Sequence, residues 1–215
     1  MYIGNDQIAL RNCVKYLGLY IDDKLNFNEQ LYQVKNKLCR LRGITYRMQK
    51  YFNLGTAKFF YFAFVYSTII NGISAWGRVL HHSSRTNILI RCHLKIVQNL
   101  FQGFYPNVQC LFKQLKILKL KDIHKFYVSV YMFKILKLNE CPTLYTDLDF
   151  SYPNHSYPTR NRNNFITPFP RVDSVRINFQ YQFLEIWNEL SESITSSRSL
   201  SIFKKSLTQY FLESY

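Results

Sequence analysis

The chain has 215 residues, 47% of them hydrophobic and 17% aromatic, which is enough for one large or two small domains around a buried core. A formal net charge of +15 favours a polyanion or an anionic membrane surface as partner. Sixteen Lys and Arg stand against the single acid Glu29 between positions 24 and 121, so this stretch repels itself unless a polyanion or salt neutralises it.

The first twenty-five residues read as β. Gly4-Asn5-Asp6 is a turn signal, and the β-branched and aromatic run over 14–21 predicts a strand in which Gly18 allows close backbone approach. Asn26 with Glu29 three residues later predicts a capping box opening a helix over 27–52. Leu31, Val34, Leu38, Leu41, Thr45 and Met48 mark its apolar face, and Lys35, Arg40, Arg42, Arg47 and Lys50, with Tyr46 among them, are assigned to the opposite one. A solvated face usually mixes signs; this one has no acid after Glu29, which favours phosphate tracking. The break at Asn53-Leu54-Gly55-Thr56 starts an apolar helix running to Trp76. Its stretch over 59–77 carries no charge and is long enough to span a bilayer, but Ser67, Thr68, Asn71 and Ser74 would each need a partner in hydrocarbon. The expectation is a buried helix at the centre of a bundle.

His81-His82 reads as a polar loop. Ser83 or Ser84 is expected to cap a helix reaching Phe101, with Gly103 and Pro106 as its stop. A short helix over 108–115, an extended piece over 118–121 and a helix capped by Asp122 and reaching Leu138 complete a bundle. Residues 139–172 hold five of the six prolines and predict a long irregular segment. There Arg160, Arg162 and Arg171 sit among Tyr152, Tyr157, Phe165 and Phe169, which suits either stacking on unpaired bases or a strap packed on the bundle. Two helices over 178–190 and 199–212 follow, with Trp187 and Phe203 as core anchors. The divisions are 1–25 (β element), 26–138 (helical bundle), 139–176 (linker or strap) and 177–215 (helical extension). The predicted class is mainly α with a short N-terminal β-hairpin.

No nucleophilic triad, Gly-rich phosphate loop or H-E-x-x-H is present. The five cysteines are widely spaced and form no C-x-x-C; adjacent Cys92-His93 could supply at most two metal ligands, so buried reduced thiols are expected. Asn5, Asp6 and Arg11 interrupt any signal-peptide core. Tyr20-Ile21-Asp22-Asp23 matches the Y-x-D-D in which polymerases hold two metal ions. However, Lys24, Asn26 and Asn28 follow where an apolar strand is needed, and only Asp6 precedes it as a further carboxylate. The pair is read as non-catalytic.

Several motifs instead form an ordered series. They are K-Y-L-G-L-Y-I-D from Lys15, the apolar run from Phe60 closing on Trp76-Gly77, L-K-I-L-K-L-K-D from Leu115, H-S-Y with Thr159-Arg160 from His155, and Phe179, Tyr181, Trp187-Asn188, Leu190, Ser199-Leu200 and Phe203-Lys204. This series, across most of the chain, resembles the part of non-LTR (LINE-type) retrotransposon reverse transcriptases downstream of the catalytic motif. Ser67 and Ser191 depart from it, since proline is usual at the first and frequent at the second. The resemblance implies a non-catalytic C-terminal part of an RNA-directed DNA polymerase: palm edge, thumb and C-terminal extension. Lys15, Tyr16, Leu17 and Gly18 would fall on the primer grip. Implied partners are an RNA/DNA template–primer and the palm and fingers of the same polyprotein, in the nucleus or cytoplasm and without a membrane. Magnesium would serve the parent polymerase, with no cofactor in this chain. The alternative is a stand-alone basic helical module, a domesticated transposon remnant, binding RNA or protein.

Overall fold

A computed structural model describes residues 2–3, 6–7, 11–82, 86–104, 111–140, 164–167 and 179–215. It is mainly helical behind short N-terminal strands, the expected class. Strands β1 (Tyr2–Ile3) and β2 (Asp6–Gln7) pair antiparallel, and so do β3 (Cys13–Tyr16) and β4 (Leu19–Asp22). The expected single strand over 14–21 is therefore a hairpin. Tyr16 pairs with Leu19, and the two-residue turn Leu17-Gly18 has φ of 47° and 84°. Positive φ at both positions matches the right-handed twist of the strands, at a strain cost to Leu17 that Gly18 does not bear.

Helix α1 (Asn28–Met48) does not begin with the expected capping box. Its cap is Phe27 in the left-handed region, with no side-chain cap; the Asp22 carboxylate accepts the Phe27 backbone N–H at 3.0 Å, and Glu29 instead accepts from Gln33 at 2.7 Å. Leu31, Val34, Leu38 and Thr45 are buried as expected, whereas Met48 is exposed. Each fully buried aliphatic side chain here contributes about 1.5–3 kcal/mol.

Asn53 caps α2 (Leu54–Phe60) by accepting the Thr56 N–H at 2.8 Å. The chain continues through a π-helical stretch, Tyr61–Tyr66, into α3 (Ser67–Ile70). Ala57, Tyr61, Val65 and Ile69 are buried, one every four residues, which is the spacing a widened turn keeps on one side. The expectation of a helix buried all round fails here, because Phe59, Phe62 and Phe64 are exposed. The helix also stops short of Trp76: Asn71 is extended and Gly72 has φ 64° before α4 (Ile73–Trp76). Among the described residues no helix is long and apolar enough to cross a membrane.

His81 lies in a short helix, α5 (Val79–His82), rather than a loop. Next come α6 (Asn87–Phe101), whose N-cap is Thr86, and α7 (Leu111–Leu115); the expected caps Ser83 and Ser84, and Pro106, lie outside the described residues. Helix α8 starts at Leu120 behind Lys119 and ends at Leu138. Asp122 is not its cap: its carboxylate accepts the Tyr215 hydroxyl at 2.6 Å, while that hydroxyl accepts the Lys119 N–H at 2.7 Å. Helices α9 (Phe179–Asn188), α10 (Glu192–Thr195), which was not expected, and α11 (Leu200–Glu213) complete the chain. Phe133 stacks on Phe203 at 4.5 Å and Trp187 on Phe203 at 5.9 Å, so the two expected anchors join α8, α9 and α11. One apolar cluster runs from Phe27 to Leu212.

Candidate nucleic-acid interface

The hairpin is held by two contacts at the helix break. A Cβ on Gly72 would lie 2.8 Å from Leu19 Cδ1, and one on Gly18 would lie 3.5 Å from Asn71 Nδ2, so Gly72 leaves the room in which Leu19 seats. Gln30, buried on α1, accepts the Tyr20 N–H at 3.1 Å and ties the strand to the helix. Between hairpin, α1 and α3 a cleft of about 390 Å³ opens. Lys15 and Lys37 line it together with Gln33 and Asn71, and no carboxylate does. Ser67 and Thr68 also reach its wall, but their hydroxyls donate back to Ala63 and Phe64 carbonyls at 2.5 and 2.7 Å. Gln33 already gives one N–H to Glu29, so the donors facing a ligand are chiefly the Lys15 and Lys37 ammonium groups with the Asn71 amide, a set suited to phosphate oxygens.

Of the motif residues, Lys15 alone both carries charge and lines this cleft. Gly18 lines it with backbone, while Tyr16 and Leu17 are exposed at the hairpin tip. Lys37, Gln33 and Asn71 escape motif reading. Their signal is spacing: Gln30, Gln33 and Lys37 recur at i, i+3 and i+7 along one flank of α1.

The cations of α1 divide in two. With 3.6 residues per turn, Arg40 and Arg47 lie roughly 160–180° from the buried Leu38, on the outward face. By the same geometry Lys35 and Arg42 lie only about 60° and 40° from Leu38, so the expected single opposite face is corrected for these two. They border α6, where both act electrostatically on the Cys92 thiol and Asn99 donates to the Arg42 carbonyl at 3.4 Å. Lys50 is exposed just beyond the helix end. Exposed aromatics lie along the same helix and just beyond it: Tyr32 is 53% exposed, Tyr46 66% and Tyr51 79%, and Lys35 Nζ sits 5.5 Å from the Tyr32 ring centre. Among the described residues the ion pairs are Lys125–Glu189 at 2.5 Å and Lys134–Glu140 at 2.7 Å, so none of the cations of hairpin or α1 is neutralised by a salt bridge. Arg160 and Arg162, with His155, Tyr157 and Thr159, lie outside the described residues.

Asp22 and Asp23 do not fit a two-metal site. Asp22 is committed to the Phe27 N–H and faces Arg78, whose guanidinium also donates to the Leu25 carbonyl and lies 5.2 Å from the Phe27 ring. Burial lowers the Arg78 pKa and Asp22 opposes that shift. Asp23 is exposed beside Lys24, and no group of three or more potential metal-ligating side chains exists among the described residues. Cys92-His93 is no ligand pair either. Cys92 faces Cys39, and His93 Nε2 meets the Tyr61 hydroxyl at 3.0 Å in the core. Burial holds His93 down to about 4 and pushes Tyr61 well up, so both are neutral partners in one hydrogen bond.

No protein-family model, no curated protein and no solved structure matches this chain.

Proposed function

We propose that this chain is the template–primer-holding, non-catalytic C-terminal part of an RNA-directed DNA polymerase of the non-LTR retrotransposon type. The observation that carries the reading is the placement of the K-Y-L-G motif. It forms the tip of a hairpin beside a cleft lined by Lys15 and Lys37 and by no carboxylate, next to a helix whose outward face carries Arg40 and Arg47 and whose flank exposes Tyr46. Ammonium groups at the cleft take backbone phosphates, the guanidinium groups of α1 track further phosphates along the strand, and the exposed tyrosines offer faces to unpaired bases. Lys35, Arg42 and Lys50 add to the field without facing the same way. Phosphodiester chemistry falls to carboxylates other than Asp22 and Asp23.

The test is binding of a fluorescent RNA–DNA template–primer, followed by primer extension with magnesium. Replacing Lys15 and Lys37 together with Ala is expected to weaken binding by about tenfold or more, about 1.4 kcal/mol per tenfold. Replacing Arg40 and Arg47 together with Ala should do the same, and no incorporation is expected from any form. Incorporation lost on Asp22→Asn would overturn the non-catalytic assignment. Binding indifferent to both double replacements would overturn the interface and favour the stand-alone module.

A further inference from the structure

Cys39 on α1 and Cys92 on α6 face each other with their sulfurs 3.5 Å apart. These two helices form the most extensive helix–helix contact among the described residues, braced also by Asn99 donating to Thr45 Oγ1 at 3.3 Å. A disulfide needs sulfurs about 2.05 Å apart, so closing the gap asks for a movement of roughly 1.5 Å. Cys39 is half-buried and reachable from solvent, whereas Cys92 is 2% exposed. Nothing in the proposed nucleic-acid interface uses either thiol.

We propose that Cys39 and Cys92 form a modification site, a dithiol that a low-molecular-weight disulfide oxidises to a covalent staple between α1 and α6. The Cys39 thiolate attacks one sulfur of the reagent, its S–S bond breaks, and the first small thiol leaves with the proton that Cys39 gave up. Cys92 then attacks Cys39 Sγ in the mixed disulfide and expels the second small thiol, which carries away the Cys92 proton. Two electrons pass from the protein to the reagent, which ends as two thiols. Burial above all, then the hydrogen bond to Cys39, pushes the Cys92 thiol up to about 11, while Arg42 and Lys35 oppose the rise. Attack by Cys39 therefore comes first, closure by Cys92 is the slow step, and closure quickens as pH rises.

The experiment treats the full chain with excess oxidised glutathione at about pH 8 and maps the peptides without reduction. The expected product is one cross-linked pair containing Cys39 and Cys92, about 2 Da lighter than the two thiols, formed with transient glutathione adducts at Cys39. Closure should raise Tm by roughly 5–10 °C, and dithiothreitol should reverse it. A variant with Ser at Cys13, Cys110 and Cys141 should behave alike; should it fail to fold, the peptide map of the unaltered chain still decides. A lasting glutathione adduct at Cys39, two surviving free thiols, or linkage of either residue to another cysteine would each overturn the proposal.

Discussion

Asp22 has the neighbours of a structural carboxylate. It accepts the N–H that opens α1 and faces Arg78, and this replaces the cap that α1 lacks. A residue type that reads as catalytic in a four-letter motif is here a fastener between a hairpin and a helix. The buried histidines show the same dependence on surroundings. His93 is held at about 4 by burial, and His124 at about 3 by burial first and then by His81, whose Nε2 lies 3.0 Å from His124 Nδ1, and by Lys125. Unfolded, both titrate near 6.5, so between that pH and the folded values the unfolded chain binds more protons than the folded one. Their stabilising share is complete above about pH 6.5 and falls away with acid, by up to about 1.4 kcal/mol per pH unit for each residue. Urea denaturation at pH 7, 6 and 5 measures this: stability should fall at each step, and a flat profile would show that neither ring is held neutral.

Among elements, those written by periodicity were legible in the sequence. The 3.6 spacing of Leu31, Val34 and Leu38 marked the buried side of α1, and the last helix, expected over 199–212, runs from Leu200 to Glu213 behind Ser199, which accepts the Ile202 N–H at 3.3 Å. The failures share one cause, which is dependence on distant contacts. The Leu17-Gly18 turn lacks the Asn-Gly or Asp-Gly signal, so its hairpin read as one strand. The break at Asn71-Gly72 hides within an apolar run because Leu19, from the distant hairpin, fills the space over Gly72; the Trp76 indole N–H adds a local bond to the Asn71 carbonyl at 2.8 Å. The cleft was legible only through Lys15 and Gly18, since Lys37 and Asn71 reach it from two helices whose meeting no local pattern records. Glycine substitutions separate these effects. A Cβ on Gly77 would overlap the His124 ring, so Gly77→Ala should cost about 1–3 kcal/mol. Gly43 lies within α1 with nothing near its missing Cβ, so Gly43→Ala should add about 0.5–1 kcal/mol. Thermal or urea melts of the two variants should move in opposite directions; equal shifts would contradict the packing described around Gly77.

At the scale of the molecule, charge and apolar surface are distributed unevenly. Acids among the described residues lie at or before Glu29 and from Asp122 onward, so α1 beyond its first turn and all of α6 project positive charge with no carboxylate of their own. The apolar cluster nevertheless runs through both halves, fixing that charged face to a common core. Such a field releases counterions when a phosphate backbone binds, and the salt dependence counts the contacts. The most direct measurement is the slope of log affinity against log salt for an RNA–DNA template–primer, taken on the unaltered chain and on a form with Ala at Lys15, Lys37, Arg40 and Arg47. Four lost phosphate contacts should flatten the slope by about 3–4. An unchanged slope in a variant that remains folded would contradict the claim that hairpin cleft and outward α1 face grip a nucleic-acid backbone.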